Sequence, residues 1–494
     1  MIWLIEKLKH SLPREDKLIQ VCFDFLVCLI NLTLSSQLVH IKLYHLHCRM
    51  NNKPGKPQRN SSPNNSPRAR RKKSNPSSGS STPGRQRRKV SYFYDSSLGN
   101  YHYGFGHPMK PHRVRMTHDL IVTYGLYKYC DVFRPELLNK EDLIKFHTPD
   151  YIDFLAKVSP HNLREYLPEL KQYSVGQDCP IFSGLYDFSR LCASGSVGGA
   201  VRLNSGDAEV AINWGGGLHH AKKKEASGFC YVNDCVLAIL ELLKSHARVM
   251  YVDIDIHHGD GVEEAFYTSN RVLTVSFHKY GDFFPGTGDI IDEGHGDGKG
   301  YSVNVPLNNG IDDDSFAYIF QRVIGDCVST FQPGAVVLQC GADSLAGDRL
   351  GVFNLSLRGH AACVDYCNNL NIPMLVLGGG GYTMRNVARC WTYETAKLLN
   401  VEISNDLPPT KFFEYYTSQS EKSGSAETDY KLHIKSVSSM RNENSKGYLE
   451  VLGNRIREQL RQVESVPSVE IRTGQAGTRQ DPVPIKLQAV QILK

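Results

Sequence analysis

The chain has 494 residues, a net charge of +6 and thirteen cysteines, enough length for one large α/β core plus tails. The cysteines are odd in number and scattered from Cys22 to Cys390 without a C-x-x-C pair, which excludes a disulfide framework and a cysteine zinc ribbon and reads as intracellular. Residues 51–90 hold twelve Lys/Arg and no Asp/Glu, so the basic character sits in a tail and residues 91–494 are net negative; direct sequence-specific DNA binding is not expected.

In chain order, residues 1–50 form an apolar segment in which Val21–Ile30 is interrupted by Asp24. A membrane helix needs about 20 apolar residues in succession, so no membrane span is expected. The abrupt change of composition predicts that translation starts at Met50 and that residues 1–49 are dispensable; a membrane-tethered form is the competing reading. Residues 51–89 are rich in Ser, Pro, Asn and Arg and predict a disordered basic arm. Its clusters Arg70–Lys73 and Arg85–Lys89 suit either nuclear import or a solvated linker. The catalytic domain is expected over 90–470 and a C-terminal tail over 471–494.

From Val90 onward, short apolar runs alternate with helical segments. Five runs read as buried parallel strands, namely 209–214, 248–253, 272–277, 335–340 and 373–377. Helix-period apolar residues mark Asn233–Lys244 and Arg358–Leu370. The expected fold is an open, mostly parallel α/β sheet with helices on both faces and right-handed crossovers. Each run leads into a polar or glycine-rich cluster, and in such sheets ligands bind beyond the carboxyl ends of the strands.

Four clusters carry chemistry. In Asp253-Ile-Asp-Ile-His-His-Gly-Asp-Gly261, alternation puts Asp253, Asp255 and His257 on one face, a set suited to Zn²⁺, although a two-Asp, one-His site can also hold Fe(II). The turn Cys340-Gly-Ala-Asp343 offers Asp343 as a third ligand beside Asp255 and His257. Trp214-Gly-Gly-Gly-Leu-His-His220 places His219 and His220 beyond a glycine turn, as acid–base groups tuned by carboxylates or as surface or metal-binding histidines. Leu377-Gly-Gly-Gly-Gly-Tyr382 lacks the spacing of a dinucleotide loop; its glycines let the backbone approach a ligand and present the Tyr382 phenol as a donor to an oxyanion.

With Gly106–His112, Ser227–Asn233, Phe284–Gly288 and Gly341–Gly351 added, residues 90 to about 470 resemble the catalytic domain of a class I histone deacetylase, a zinc hydrolase with an arginase-like α/β fold. The resemblance implies one catalytic Zn²⁺ on Asp255, His257 and Asp343, with Tyr382 as oxyanion donor. It pairs His219 with Asp253 and His220 with Asp260, His220 serving as base and then acid. It implies a channel for the acetyl-lysine from Gly228, Phe229, Phe284 and Leu350, with His107 and Pro108 nearby, and Asp178 holding the substrate backbone. Structural K⁺ is implied at Asp253, Asp255, His257, Ser276 and Phe277, and at Phe266, Ser269, Val272 and Tyr301. Lys110, Arg349 and Arg385 match a patch that binds an inositol phosphate, or else form surface salt bridges.

The implied substrates are acetylated histone tails and other proteins, the implied partners corepressor subunits, and the implied location the nucleus, with a cytoplasmic fraction allowed. An acetylpolyamine deacetylase ranks below this reading because the channel is neutral and Asp178 suits a peptide. A non-catalytic scaffold has no need of the whole set of catalytic residues. Phe105 stands where the family usually has Gln, Lys224 where Ser is usual, and the spacer 417–429 is longer and more polar than the family pattern.

Overall fold

A computed structural model describes residues 88–417, 430–433 and 439–464. The expectations for the apolar segment, the Met50 start, most of the basic arm, the spacer beyond Thr417 and the tail 471–494 fall outside these residues. The described chain starts at Arg88, whose guanidinium donates to the carbonyls of Glu209 (2.8 Å) and Ile372 (2.7 Å), so the final residues of the basic arm are docked on the domain.

Eight strands form one sheet: β1 (Val90–Phe93), β2 (Asp131–Phe133), β3 (Val210–Asn213), β4 (Val249–Asp253), β5 (Val272–Lys279), β6 (Ser302–Leu307), β7 (Ala335–Gln339) and β8 (Met374–Leu377). Their order is β2-β1-β3-β8-β7-β4-β5-β6, and every pair is parallel. All five predicted strands are present, and the sheet is wholly rather than mostly parallel. Successive residues along a strand enter different cores: Met250 and Val252 join one apolar cluster, Val249 and Tyr251 the other. Both faces are therefore covered, which is why these strands read as unbroken apolar runs.

The predicted helices appear as Asp234–Leu242 and Leu357–Asn369. Asn233 caps the first by accepting from Val236 N–H at 3.0 Å. Others include His112–Thr123, Leu185–Asn204, Asp313–Phe331, Met384–Leu398 and Lys446–Leu460. Helix Met384–Leu398 locks onto the strand ends through two buried indoles: Trp391 stacks on Trp214 at 5.4 Å, and their N–H groups donate to the Cys340 carbonyl (2.9 Å) and the Thr395 hydroxyl (3.0 Å). No helix among the described residues is long and apolar enough to cross a membrane.

The register decides where the site lies. Asp253 is opposite Gln339, Gln339 opposite Leu377, and Leu377 opposite Asn213. Four strand ends thus stop level with one another, and the four clusters that follow them have to meet.

Candidate active site and metal centre

Strand β4 ends at Asp253, yet the alternation persists beyond it. Ile254 and Ile256 stay in the core, while Asp255 N–H donates to Asp253 (3.1 Å) and His257 N–H to Asp255 (3.0 Å). Asp343 arrives from the turn after β7. Its Oδ1 accepts from Ile256 N–H at 3.2 Å, and its Oδ2 lies 3.1 Å from His257 Nδ1. His257 Nδ1 is also 3.0 Å from Asp255 Oδ1.

One donor atom from each of these three buried residues falls within 4.8 Å of the other two. Tetrahedral ligands at about 2.0–2.1 Å from a Zn²⁺ ion lie about 3.3 Å apart, so the donor set fits such an ion with little movement. Its electrostatics agree. Burial alone would strip a proton from His257, but hydrogen bonds to Asp255 and Asp343 hold its pKa up to about 10. Burial and the charge of Asp255 push Asp343 up to about 7. Two buried carboxylates that retain positive charge between them favour a cation.

Outer partners fix the ligands. Asp255 Oδ2 accepts from Gln339 Nε2 (2.9 Å) and from Gly380 N–H (2.8 Å). The backbone passes so close that a Cβ at Gly380 would lie 1.9 Å from Asp343 Oδ2, and one at Gly341 would lie 2.0 Å from Asp255 Oδ2. Gly380→Ala is therefore expected to reduce kcat by about 100-fold, the cost of an ångström-scale displacement, and to weaken metal binding. Steady-state kinetics with metal quantification checks both.

The two histidines are buried, not on the surface. His219 Nδ1 lies 2.7 Å from Asp253 Oδ2, and His220 Nδ1 lies 2.7 Å from Asp260 Oδ1. Asn233 Nδ2 donates to the carbonyls of His219 (3.1 Å) and Ala221 (2.9 Å), which fixes the turn that carries them. Their protonation differs. Burial opposes charge on both, but Asp253 and Asp255 lift His219 to about 9, whereas burial and the neighbouring His219 hold His220 down at about 3. Although burial opposes it, Asp260 stays well below the usual carboxylate range through His220 and Lys222, whose ammonium lies 2.6 Å away.

Tyr382 follows the glycine run on the other side. Its ring meets Phe229 at 5.7 Å and His257 at 6.4 Å, both edge to face. Burial, then the charges of Asp343 and Asp255, raise its phenol far above the ordinary value, so it stays a donor. Around this centre, Phe284 packs on His220 at 5.0 Å, and Gly228 lies against both rings. His107 touches Phe229 at 4.7 Å and lies 3.2 Å from the Asp178 carbonyl through Nε2. Leu350, Phe284 and Asp178 are exposed. Phe105 and Lys224, the two single-residue departures, are exposed as well.

Lys110, Arg349 and Arg385 line one cavity of about 520 Å³ together with Pro108, Thr383 and Tyr382. No ion pair engages any of the three among the described residues. Among the residues read for potassium, Asp253 is opposite Ser276, and Ser269 N–H donates to the Phe266 carbonyl at 2.8 Å.

Three residues of the site carry no sequence signal. Arg113, on helix His112–Thr123, is buried and donates to the carbonyls of Gly379 and Gly381, bracing the run that presents Tyr382. Gln339 is one side chain in an apolar strand. Asp348 looks like a turn residue. A second buried group, His360, Cys390 and Glu394, could also offer three ligand atoms, but His360 is already engaged by Glu394 and by the Gly341 carbonyl at 2.9 Å, behind the Asp343 turn.

A family model described as "Histone deacetylase domain" matches residues 107–398. The chain is 58% identical to "Histone deacetylase 1" of Homo sapiens over 386 residues, 78% of each chain. It is 56% identical to "Histone deacetylase HDAC1" of Drosophila melanogaster, covering 78% of this chain and 72% of the other. It is also 56% identical to "Type-1 histone deacetylase 1" of Dictyostelium discoideum, covering 77% and 75%. With donor set, histidine pairs and tyrosine converging on one centre inside the matched segment, the chain belongs to the histone deacetylase family and is a deacetylase.

Proposed function

We propose that the protein hydrolyses acetyl-lysine amides on histone tails and other proteins at one Zn²⁺ held by Asp255, His257 and Asp343. The observation that carries this is the placement of three mutually adjacent buried donor atoms beside both His–Asp pairs and the Tyr382 phenol. The ion, when bound, polarises the acetyl carbonyl and acidifies water. The remaining steps belong to the side chains.

His220, with Nδ1–H directed at Asp260, keeps Nε2 for the proton. Neutral at working pH, it takes a proton from the attacking water and passes one to the departing lysine amine, which is a poor leaving group unless protonated. His219, held cationic by Asp253, stabilises negative charge as it develops. Tyr382 donates to the oxyanion. Phe229, Phe284, Gly228 and Leu350, with His107 and Pro108, enclose the lysine methylenes, and Asp178 accepts the peptide N–H groups at the rim. Structural K⁺ at the two sites named above would brace the strand ends, largely through carbonyl oxygens.

The competing substrate is an acetylated polyamine. The expected result is a kcat/KM for an acetyl-lysine histone peptide at least tenfold above that for acetylspermidine, a margin typical of differential transition-state binding. A preference for the polyamine would overturn the peptide reading. Nuclear action within a corepressor complex follows from the same reading, and the basic cavity supplies a polyanion site for it. There, Arg349→Glu with Arg385→Glu is expected to weaken binding of inositol hexakisphosphate by at least about tenfold, through loss of charge-assisted and bidentate contacts. Titration calorimetry checks this, and unchanged affinity would move the ligand elsewhere.

A further inference from the structure

Asp348 sits on the turn between the metal-ligand strand end and Leu350, and its two oxygens serve different loops. Oδ1 accepts from Leu350 N–H (2.9 Å) and Gly351 N–H (3.1 Å). Oδ2 accepts from Tyr382 N–H (2.7 Å) and Thr383 N–H (3.2 Å), more than thirty residues further on. A second stitch joins the same loops, since the Thr383 hydroxyl donates to the Gly347 carbonyl at 2.9 Å. The turn is also seated on the centre itself, because a Cβ at Gly351 would lie 1.9 Å from the Asp343 carbonyl oxygen.

We propose that Asp348 is a positioning residue that holds the Tyr382 phenol and the Leu350 rim in one frame. This rests on the reading of Tyr382 as oxyanion donor and Leu350 as channel wall. The two bonds to Leu350 and Gly351 are ordinary turn chemistry, in which an aspartate accepts from N–H groups two and three residues on. Turn formation has no use for the other pair. Only an ionised carboxylate, with about four acceptor sites on two oxygens, can serve four N–H groups together, and such charge-assisted bonds are short and directional. Arg113 braces Gly379 and Gly381 from the helix side, Asp255 and Ala342 hold Gly380, and Asp348 restrains the next two residues, Tyr382 and Thr383, the backbone that delivers the phenol. Asparagine offers one acceptor oxygen and turns an NH₂ group toward two N–H donors, so Asp348→Asn releases one of the two loops.

The test is a double-variant cycle in the full-length, zinc-loaded enzyme with an acetyl-lysine peptide. Asp348→Asn is expected to lower kcat by about 10- to 100-fold, the usual cost of a small misplacement, and to raise KM through Leu350, with bound zinc unchanged. In the Tyr382→Phe background the kcat loss should vanish, because Asp348 acts through the phenol, while the KM rise persists. Asp348→Glu, which keeps both acceptor oxygens, should retain more of kcat. Losses that multiply in the double variant, a parental kcat in Asp348→Asn, or failure of both Asp348 variants to fold would each overturn the proposal. Full activity in Tyr382→Phe alone would instead overturn the reading of Tyr382.

Discussion

Tyr382→Phe is expected to lower kcat by about 10²- to 10³-fold, the loss measured when one oxyanion donor is removed from a preorganised site, while the protein stays folded and metal-loaded. The change deletes a single hydroxyl. The ring keeps its edge contacts with Phe229 and His257, and the backbone keeps its bonds to Asp348, so neither packing nor loop geometry has cause to alter. What disappears is a donor that burial and the charges of Asp343 and Asp255 keep protonated. Because the phenol contributes chiefly when charge develops on the carbonyl oxygen, KM should change much less than kcat. Steady-state kinetics alongside zinc quantification decides it, and a kcat within threefold of the parent would remove Tyr382 from the chemistry.

The second large effect follows from the donor set. Asp343→Asn is expected to weaken zinc binding by more than about 100-fold, since loss of an outer partner alone costs about 10- to 100-fold, and to abolish turnover at ordinary zinc concentrations. The same substitution should act in the opposite sense on the metal-free protein. With its folded-state pKa raised to about 7 by burial and Asp255, Asp343 contributes stability only while protonated. That contribution is full below the ordinary carboxylate value of about 3.9 and is lost as pH rises toward 7. Between about pH 4 and 7 the metal-free parent should therefore lose stability relative to the Asn variant, which lacks this titration, and zinc should reverse the order of the two. Thermal unfolding of both proteins with and without chelator reads this directly. A metal-free parent more stable at pH 7 than the Asn variant would contradict the site's electrostatics.

Much of this was legible in the sequence because of where the burial falls. Strands β3, β4, β5, β7 and β8 are covered on both faces and so appear as continuous apolar runs. Three strands escaped: β1 carries Ser91 and directly follows the basic arm, β2 has only three residues, and β6 carries Asn304 and Pro306. A proline is tolerated there because β6 lies at the sheet edge. Helix Leu185–Asn204 shows no clean apolar stripe, since Gly195 and Gly199 let Asn213 and Leu375 approach within less than a side chain's width; close packing replaced amphipathicity. The ligands, histidines and tyrosine were visible because their types are rare at the ends of apolar strands. Arg113, Gln339 and Asp348 were not. Their roles depend on backbone atoms brought close only by the fold, such as the carbonyls of Gly379 and Gly381 for Arg113, and no local pattern encodes such a partner.

The most direct test of the central claim is acetate release from an acetyl-lysine histone peptide by purified protein whose bound metal has been quantified. Activity should rise in proportion to zinc up to one ion per chain, vanish with chelator and return on adding zinc back. Turnover that persists in metal-free protein, or none in protein holding one zinc per chain, would contradict the account.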